Sequence, residues 1–197
     1  MDIKIITFII AITLLLISYF FYYRDIFKGK TKPHTYTWLV WSTLTGIGFF
    51  GQLSGGGGLG SVLLGVASIL SAGIFFLSLS RGEKDITLSD KVSLISAGVG
   101  LWLWYLTKNP LSTIILITFT DMLGYYPTIR KSIKKPQEET LETYFFGSII
   151  YLISFFSLEN FNIITLFYPA GITFMNWVMV VLLIVRRKQL QILQSLR

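Results

Sequence analysis

The feature that most constrains this chain is the length of its segments without charge. From Pro33 to Ser80 the sequence contains no Asp, Glu, Lys or Arg. Ordinary soluble domains contain about 25% charged residues, whereas this chain contains 14%, together with 53% apolar residues. A water-exposed shell would therefore lack polar side chains, which excludes a soluble fold and predicts an all-α membrane protein with several spans.

Charged residues mark the ends of the predicted spans, because a charge at the bilayer centre costs roughly 2.5 to 3.5 kcal/mol. The glycine run from Gly55 to Gly58 divides the long uncharged segment into two helices. The length of the chain allows about seven spans of roughly 20 residues. We place them at about 5–23, 36–52, 59–79, between Lys91 and Lys108, at 110–129, between Glu142 and Glu159, and between Glu159 and Arg186.

The distribution of basic residues predicts the orientation of these spans. With seven crossings, fifteen Lys and Arg residues fall on one side of the membrane, whereas only Lys4 and Lys108 fall on the other. Because basic loops stay in the cytoplasm, the N-terminus is expected outside and the C-terminus inside, in a plasma or bacterial inner membrane. The net charge of +7 is then an orientation signal that also favours anionic lipid, and no nucleic-acid partner is expected.

The chain also aligns with itself, without a gap, at a shift of 103 residues. The aligned positions include Tyr22-Tyr23 with Tyr125-Tyr126, and Lys32-Pro33 with Lys135-Pro136. This shift equals four predicted spans, so the first three correspond to the last three in the same orientation, with the fourth as a linker. We expect a first three-helix repeat at 1–82, a linker with the fourth helix at 83–109, and a second repeat with a short basic tail at 110–197. Transporters built from parallel repeats bind substrate between the halves near the membrane midplane.

A local motif in the second repeat resembles a known family. Residues 125–132, Tyr-Tyr-Pro-Thr-Ile-Arg-Lys-Ser, precede the basic pair Lys134-Lys135. This segment is similar to the part of the PQ-loop/SWEET-like superfamily where an aromatic-Pro-Gln element ends a helix on the cytoplasmic side, with Thr128 at the Gln position. The resemblance implies three helices, a linker helix and three helices, as in bacterial nicotinamide riboside transporters. It also implies alternating-access transport of a small polar solute, such as a sugar, a nucleoside or vitamin, or an amino acid.

Asp121 is the one Asp, Glu, Lys, Arg or His that falls inside a predicted span. Carboxylates within membranes face a cavity or a partner, and they often relay protons or bind cations. Thr118, Gly124, Tyr125 and Thr128 share its helix face. Asp121 is therefore the candidate proton-coupling residue, and the alternative is a structural hydrogen bond between helices.

Aromatic and polar residues occur at comparable depths in both repeats, and they are the candidate substrate-binding residues. The shift of 103 residues aligns the second span with Tyr144, Ser148 and Tyr151 of the sixth. Asn176, in the seventh span, resembles the third-helix Asn that contacts substrate in sugar-transporting members. The predicted set is Trp41, Thr45, Tyr144, Ser148, Tyr151 and Asn176. The alternative is that the Trp and Tyr side chains only pack helices together or lie at the interface.

Two prolines mark positions where a helix can bend. Pro127 and Pro169 each remove a backbone donor inside a predicted helix. Together with Tyr125 they are the candidate gating residues, and a static kink is the alternative. The glycine run before Gly60 is expected to form a flexible outer loop, since it lacks the Gly-Lys-Ser/Thr ending of a phosphate loop, and His34 is expected at the surface.

The composition also limits the chemistry of the chain. It contains no Cys and one His, which excludes disulfides, thiol catalysis and a histidine metal cluster. We therefore expect no cofactor and no metal. One buried carboxylate supplies no acid and base pair, which argues against an enzyme. The expected partners are a small polar solute and the lipid bilayer, homo-oligomer formation is left open, and the alternative function is a non-transporting receptor or accessory subunit.

Overall fold

The structure is a computed structural model that describes residues 2–107 and 109–195. The helices among these residues are α1 (Ile3–Phe27), α2 (Thr35–Ser54), α3 (Val62–Arg81), α4 (Leu88–Thr107), α5 (Pro110–Gly124), α6 (Tyr126–Lys134), α7 (Leu141–Ser154) and α8 (Ile163–Ser195). Short 3₁₀ helices cover Gly58–Ser61, Pro136–Glu138 and Phe155–Ser157. No strand occurs in the described part of the chain, so the predicted all-α class is confirmed. Lys108 and Arg197, which entered the count of basic residues, lie outside the described residues.

Three of the described helical segments are long and apolar enough to cross a membrane. They are Ile3–Phe27, Gly58–Arg81 and Ile163–Leu193. By length and composition these segments indicate a membrane protein.

The distribution of side chains is the reverse of that in a soluble domain. Large apolar side chains point outward, as at Phe20 and Ile69, which are 63% and 74% exposed. Polar side chains such as Ser18, Thr45 and Asn176 are buried. Lipid tails solvate apolar side chains but cannot satisfy polar groups, which must find partners inside the protein. The buried polar side chains are therefore the candidates for a functional site.

Two helix contacts between the aligned halves are equivalent to each other. α1 packs against α7, and α5 packs against α2. The hydroxyl of Thr140 donates to the carboxylate of Asp25 at 3.1 Å, and the hydroxyl of Thr128 donates to that of Thr37 at 3.0 Å. A shift of 103 residues converts the first pair into the second with the halves exchanged. Such an exchange is expected of parallel repeats, and the division of the chain at 82 and 109 stays a prediction.

The helix predicted for the fifth span is interrupted, which divides it into α5 and α6. α5 ends at Gly124 and α6 begins at Tyr126, so Tyr125 forms the joint. Pro127 lies in the first turn of α6, where a missing N–H costs no intrahelical hydrogen bond. The expectation that Pro127 stands inside a continuous helix is therefore wrong, although a break does occur at this point of the chain.

The glycine-rich segment has defined contacts. Gly56 and Gly58 have φ angles of +79° and +57°, in the left-handed region that glycine adopts without strain. The amide groups of Asn160 and Asn162 donate to the carbonyls of Gly56 and Gly55, at 3.1 and 3.0 Å. The segment expected to be a flexible loop is thus fastened to the connection between α7 and α8.

His34 is buried, and the expectation of a surface residue is wrong. Its Nε2 lies 3.4 Å from an Asp90 carboxylate oxygen, and both side chains are fully buried. The guanidinium of Arg130 binds the two oxygens of Asp90 at 3.0 and 2.7 Å. These three residues fasten the first turn of α4 to the start of α2 and to α6. Sequence position alone placed His34 in a loop, but it did not show that α4 covers that loop.

We expect His34 to reduce the stability of the protein as the pH falls below about 6.5, relative to a variant without this side chain. Burial lowers the pKa of His34 below 6.5, although Asp90 opposes that shift. At this side chain the unfolded chain therefore binds more protons than the folded chain, and the contribution of His34 to stability decreases as pH falls, by at most about 1.4 kcal/mol per pH unit. Thermal unfolding in detergent between pH 5 and pH 7 measures this slope.

The matched control for this prediction is His34→Gln. Lys135 and backbone N–H groups outweigh burial and lower the pKa of Glu83 to about 2, and Arg130 lowers that of Asp90 against the effect of burial. Both carboxylates thus stay ionised between pH 5 and pH 7. The stability of the unaltered protein relative to His34→Gln should fall between pH 7 and pH 5, because all other groups act equally in both proteins, and a relative stability that does not change with pH would contradict the prediction.

Candidate functional site

A small cavity lies between α1, α2, α3, α5, α7 and α8, and most of the residues predicted to bind substrate line it. Its lining includes Trp41, Thr45, Asp121, Tyr144, Tyr151 and Asn176, and also Tyr125 from the predicted gating set. Ser18, Tyr19, Ser71 and Thr143 line it as well, and the sequence did not single them out as binding residues. The cavity thus draws on elements from both halves of the chain.

The volume of this cavity is about 50 Å³. At 10 to 15 Å³ for each water molecule, measured in the same way, it holds roughly four waters. A sugar or a nucleoside does not fit into such a space. Larger solutes need a wider cavity than this one.

Asp121 is buried against the cavity without a basic partner. It is 3% exposed, and the hydroxyl of Tyr168 donates to its Oδ1 at 3.3 Å. No Lys, Arg or His lines the cavity, and Asp121 belongs to none of the ion pairs among the described residues. A buried carboxylate without a counter-charge is costly in its ionised form. Asp121 thus calls for a proton or a bound cation.

Tyr168 is a site residue that sequence reasoning missed. It is fully buried, and its ring packs against Gly48 of α2 so closely that a Cβ there would lie 2.5 Å from ring carbons. The absence of a side chain at Gly48 therefore makes room for the tyrosine that reaches Asp121. Gly48 and Tyr168 are both common residue types in membrane helices, so the sequence alone does not reveal that they are in contact.

Trp41 is the centre of an aromatic cluster beside the carboxylate. Its ring centroid lies 5.0 Å from that of Trp38, 4.4 Å from that of Tyr125 and 6.5 Å from that of Tyr144. Its indole Nε1 is buried and has no acceptor among the described residues. The aromatic cluster therefore contributes several rings to one wall of the cavity.

Ser148 does not line the cavity, in contrast to the prediction. Its hydroxyl donates to the carbonyl of Phe145 in its own helix at 2.7 Å, and Gly147 lines the cavity instead. Ser148 is rotated by about 40° around the helix axis from Tyr144, away from the side on which Gly147 and Tyr151 line the cavity. Asn176 fits closely against Gly147, where a Cβ would lie 2.8 Å from its Oδ1.

A buried charged cluster closes one end of the cavity. We define the Glu139 cluster as Tyr22, Lys131, Glu139 and Tyr144. The hydroxyls of Tyr22 and Tyr144 donate to Oε2 of Glu139 at 3.0 and 2.9 Å, and Lys131 forms an ion pair with the other oxygen. Tyr144 also lines the cavity, so the cluster and the cavity share a wall. Lys131 and Glu139 lie between the fifth and sixth predicted spans, and the sequence gave no signal that either side chain is buried.

Beyond the cavity, a side chain of α2 fastens this helix to α8. Gln52 lies roughly 16 Å along the helix from Trp41, and its Nε2 donates to the carbonyl of Thr165 at 2.7 Å. Pro169 lies inside α8 and has no N–H to bind that carbonyl. The predicted bend site thus creates an acceptor on α8, and Gln52 satisfies it.

We expect Gln52→Leu to destabilise the protein by about 1 to 3 kcal/mol, because it leaves the buried carbonyl of Thr165 without a donor. Pro169→Ala restores a backbone donor four residues later, so Gln52→Leu should cost less than half as much in that background. Unfolding of the two single variants and the double variant in detergent measures the difference. Equal costs in both backgrounds would show that Gln52 does not serve the proline.

No protein-family model, no curated protein and no solved structure matches this chain at a significant level.

Proposed function

We propose that the chain is a membrane transporter with seven spans, formed by α1, α2, α3, α4, α5, α7 and α8. Its N-terminus lies outside and its C-terminus in the cytoplasm, in a plasma or bacterial inner membrane. The asymmetry of basic residues supports this orientation. The three long apolar segments, Ile3–Phe27, Gly58–Arg81 and Ile163–Leu193, support membrane insertion.

The observation that carries this proposal is Asp121, which lines a small cavity between the helices and has no basic partner among the described residues. An unpaired carboxylate is expensive in a membrane and is retained where it binds or relays something. The cavity lies between helices from both aligned halves, which is where transporters with parallel repeats bind their solutes. This position also supports the resemblance to the PQ-loop/SWEET-like superfamily, which remains part of the proposal.

In this proposal two contacts act as gates for alternating access: the Glu139 cluster and the hydrogen bond from Gln52 to the carbonyl of Thr165. Separation of the Glu139 cluster opens the cavity to the cytoplasm, and release of the Thr165 carbonyl by Gln52 opens it to the outside. The break at Tyr125 and Pro127 adjoins the first gate, and Pro169 adjoins the second. The predicted gating residues thus lie where each opening requires the backbone to move.

Asp121 couples the cycle to protons in this proposal. Protonation makes the cavity neutral, which eases its passage between the outward-open and inward-open forms. The solute is small and polar, since the lining supplies hydroxyl, amide and carboxylate groups as well as aromatic rings.

Binding and flux must be measured separately, because the alternative function is a receptor or an accessory subunit. Thermal shift against sugars, nucleosides, vitamins, amino acids and amines identifies ligands, since binding to the folded state raises the apparent Tm. Proteoliposomes containing the protein are then expected to take up the best ligand in a saturable manner, unlike protein-free liposomes. Stabilisation without uptake would favour the receptor.

A further inference from the structure

The electrostatics of the cavity select the charge of its occupant. With Asp121 ionised the lining carries one negative charge, and it contains no Lys, Arg or His to balance it. Tyr168 supplies the single hydrogen bond to this carboxylate among the described contacts. A cation bound here would gain the attraction of a carboxylate at low dielectric. An anion, or a solute that carries a carboxylate of its own, would be repelled.

The aromatic wall selects the kind of cation. Trp38, Trp41, Tyr125 and Tyr144 all line the cavity, with Trp41 in contact with the other three rings. Rings attract organic ammonium groups through their π faces, by about 2 kcal/mol or more where the site is desolvated. Inorganic cations such as Na⁺ instead require several converging oxygen ligands. The combination of rings and one carboxylate therefore favours an organic cation.

The cavity also limits the size of the occupant. Space for roughly four water molecules, in about 50 Å³, corresponds to a solute of about four or five non-hydrogen atoms. A solute of this size is bound without any widening of the cavity.

From this geometry we infer that the carried solute is a compact organic ammonium ion without a carboxylate, exchanged for a proton at Asp121. The inference rests on the proposed transport function and adds the chemical class of its substrate. The same carboxylate binds either one cation or one proton, so the cavity is neutral in both loaded forms. The titratable side chains that face Asp121, from α1, the joint between α5 and α6, α7 and α8, are Tyr19, Tyr125, Tyr151 and Tyr168. None of these tyrosines carries charge in its ordinary protonated form.

The test is thermal shift of the purified full-length protein with tetramethylammonium chloride, which has five non-hydrogen atoms. NaCl at equal ionic strength controls for salt, and tert-butanol is a neutral solute of the same shape. Tetramethylammonium should raise the apparent Tm in a saturable manner, whereas neither control should do so. An equal shift with tert-butanol, an equal shift with NaCl, or no shift with tetramethylammonium, would overturn the inference.

A variant localises the binding. Asp121→Asn should weaken tetramethylammonium binding at least about tenfold, whereas Glu142→Gln, which removes an exposed carboxylate at the start of α7, should leave it unchanged. Unaltered binding in Asp121→Asn would overturn the inference. If the variant does not fold, the thermal shifts of the unaltered protein with tetramethylammonium, NaCl and tert-butanol still test the inference.

Failure of this inference and failure of the proposed function give different results. Saturable uptake of a neutral solute, without stabilisation by tetramethylammonium, would overturn the cation and leave the transporter intact. Stabilisation by tetramethylammonium that requires Asp121, without flux in proteoliposomes, would support the cation site and overturn transport.

Discussion

Asp121→Asn is expected to abolish the accumulation of solute that a pH gradient drives across proteoliposome membranes. The Asn side chain resembles the protonated acid and cannot exchange a proton, so the cycle loses its coupling step. With one proton for each solute, a gradient of one pH unit supports accumulation of up to about tenfold, and the variant should reach a ratio of one. The measurement is the steady-state content of solute inside the liposomes.

Glu142→Gln is the matched control, because it removes an exposed carboxylate outside the cavity, and it should accumulate solute as the unaltered protein does. Accumulation by Asp121→Asn equal to that of the unaltered protein would reduce Asp121 to a structural contact of Tyr168. Solute exchange across the liposome membrane, measured without a pH gradient, distinguishes a neutral solute from an organic cation. A neutral solute should exchange at the normal rate in Asp121→Asn, whereas an organic cation should exchange more slowly.

Lys131→Met is expected to destabilise the protein by about 3 to 5 kcal/mol. Lys131 and Glu139 are both almost fully buried, and removal of one partner leaves the other as an uncompensated buried charge. Glu139→Gln in the same chain removes that charge, so the double variant should be more stable than Lys131→Met alone. Unfolding in detergent, followed for both variants, measures the two costs.

The control for this prediction is Lys32→Met, which breaks a more exposed ion pair with Glu138. Exposed pairs contribute about 0 to 1 kcal/mol, so this variant should remain near the stability of the unaltered protein. A cost for Lys131→Met no greater than that for Lys32→Met would show that the Glu139 cluster is not a closed, desolvated contact.

Helix positions could be predicted wherever charge or glycine marks an end. The second span was placed at 36–52 and α2 covers Thr35–Ser54, because a polar loop and the glycine run flank it. The seventh span was placed up to Arg186, but α8 continues to Ser195. Basic residues end the part of a helix that lies in lipid, whereas they do not end the helix itself.

The cavity could be predicted in part, because helical periodicity and the repeat align residues at one depth. That reasoning brought Trp41, Thr45, Tyr144 and Asn176 to one cavity, and it misplaced Ser148 by a fraction of a turn. Their role in binding stays a prediction.

Contacts between distant segments could not be predicted from one sequence. Glu139 lies between two predicted spans, where no helical periodicity indicates which charged side chains are buried. The sequence alone also does not reveal that Tyr168 touches Asp121, or that α4 covers His34. Each of these contacts depends on how helices approach each other, and that information lies in the packing.

The most direct test of alternating access uses the absence of cysteine from the chain. Thr45→Cys places a single thiol in the cavity, whereas Ser54→Cys and Ser80→Cys place one at exposed positions at opposite ends of the helices. A membrane-impermeant thiol reagent is added to one side of oriented vesicles, and then to the other in a separate sample. Ser54→Cys should react only from outside, Ser80→Cys only from the cytoplasmic side, and Thr45→Cys from either side. Reaction of Thr45→Cys from one side only, or from neither in folded protein, would contradict transport through this cavity.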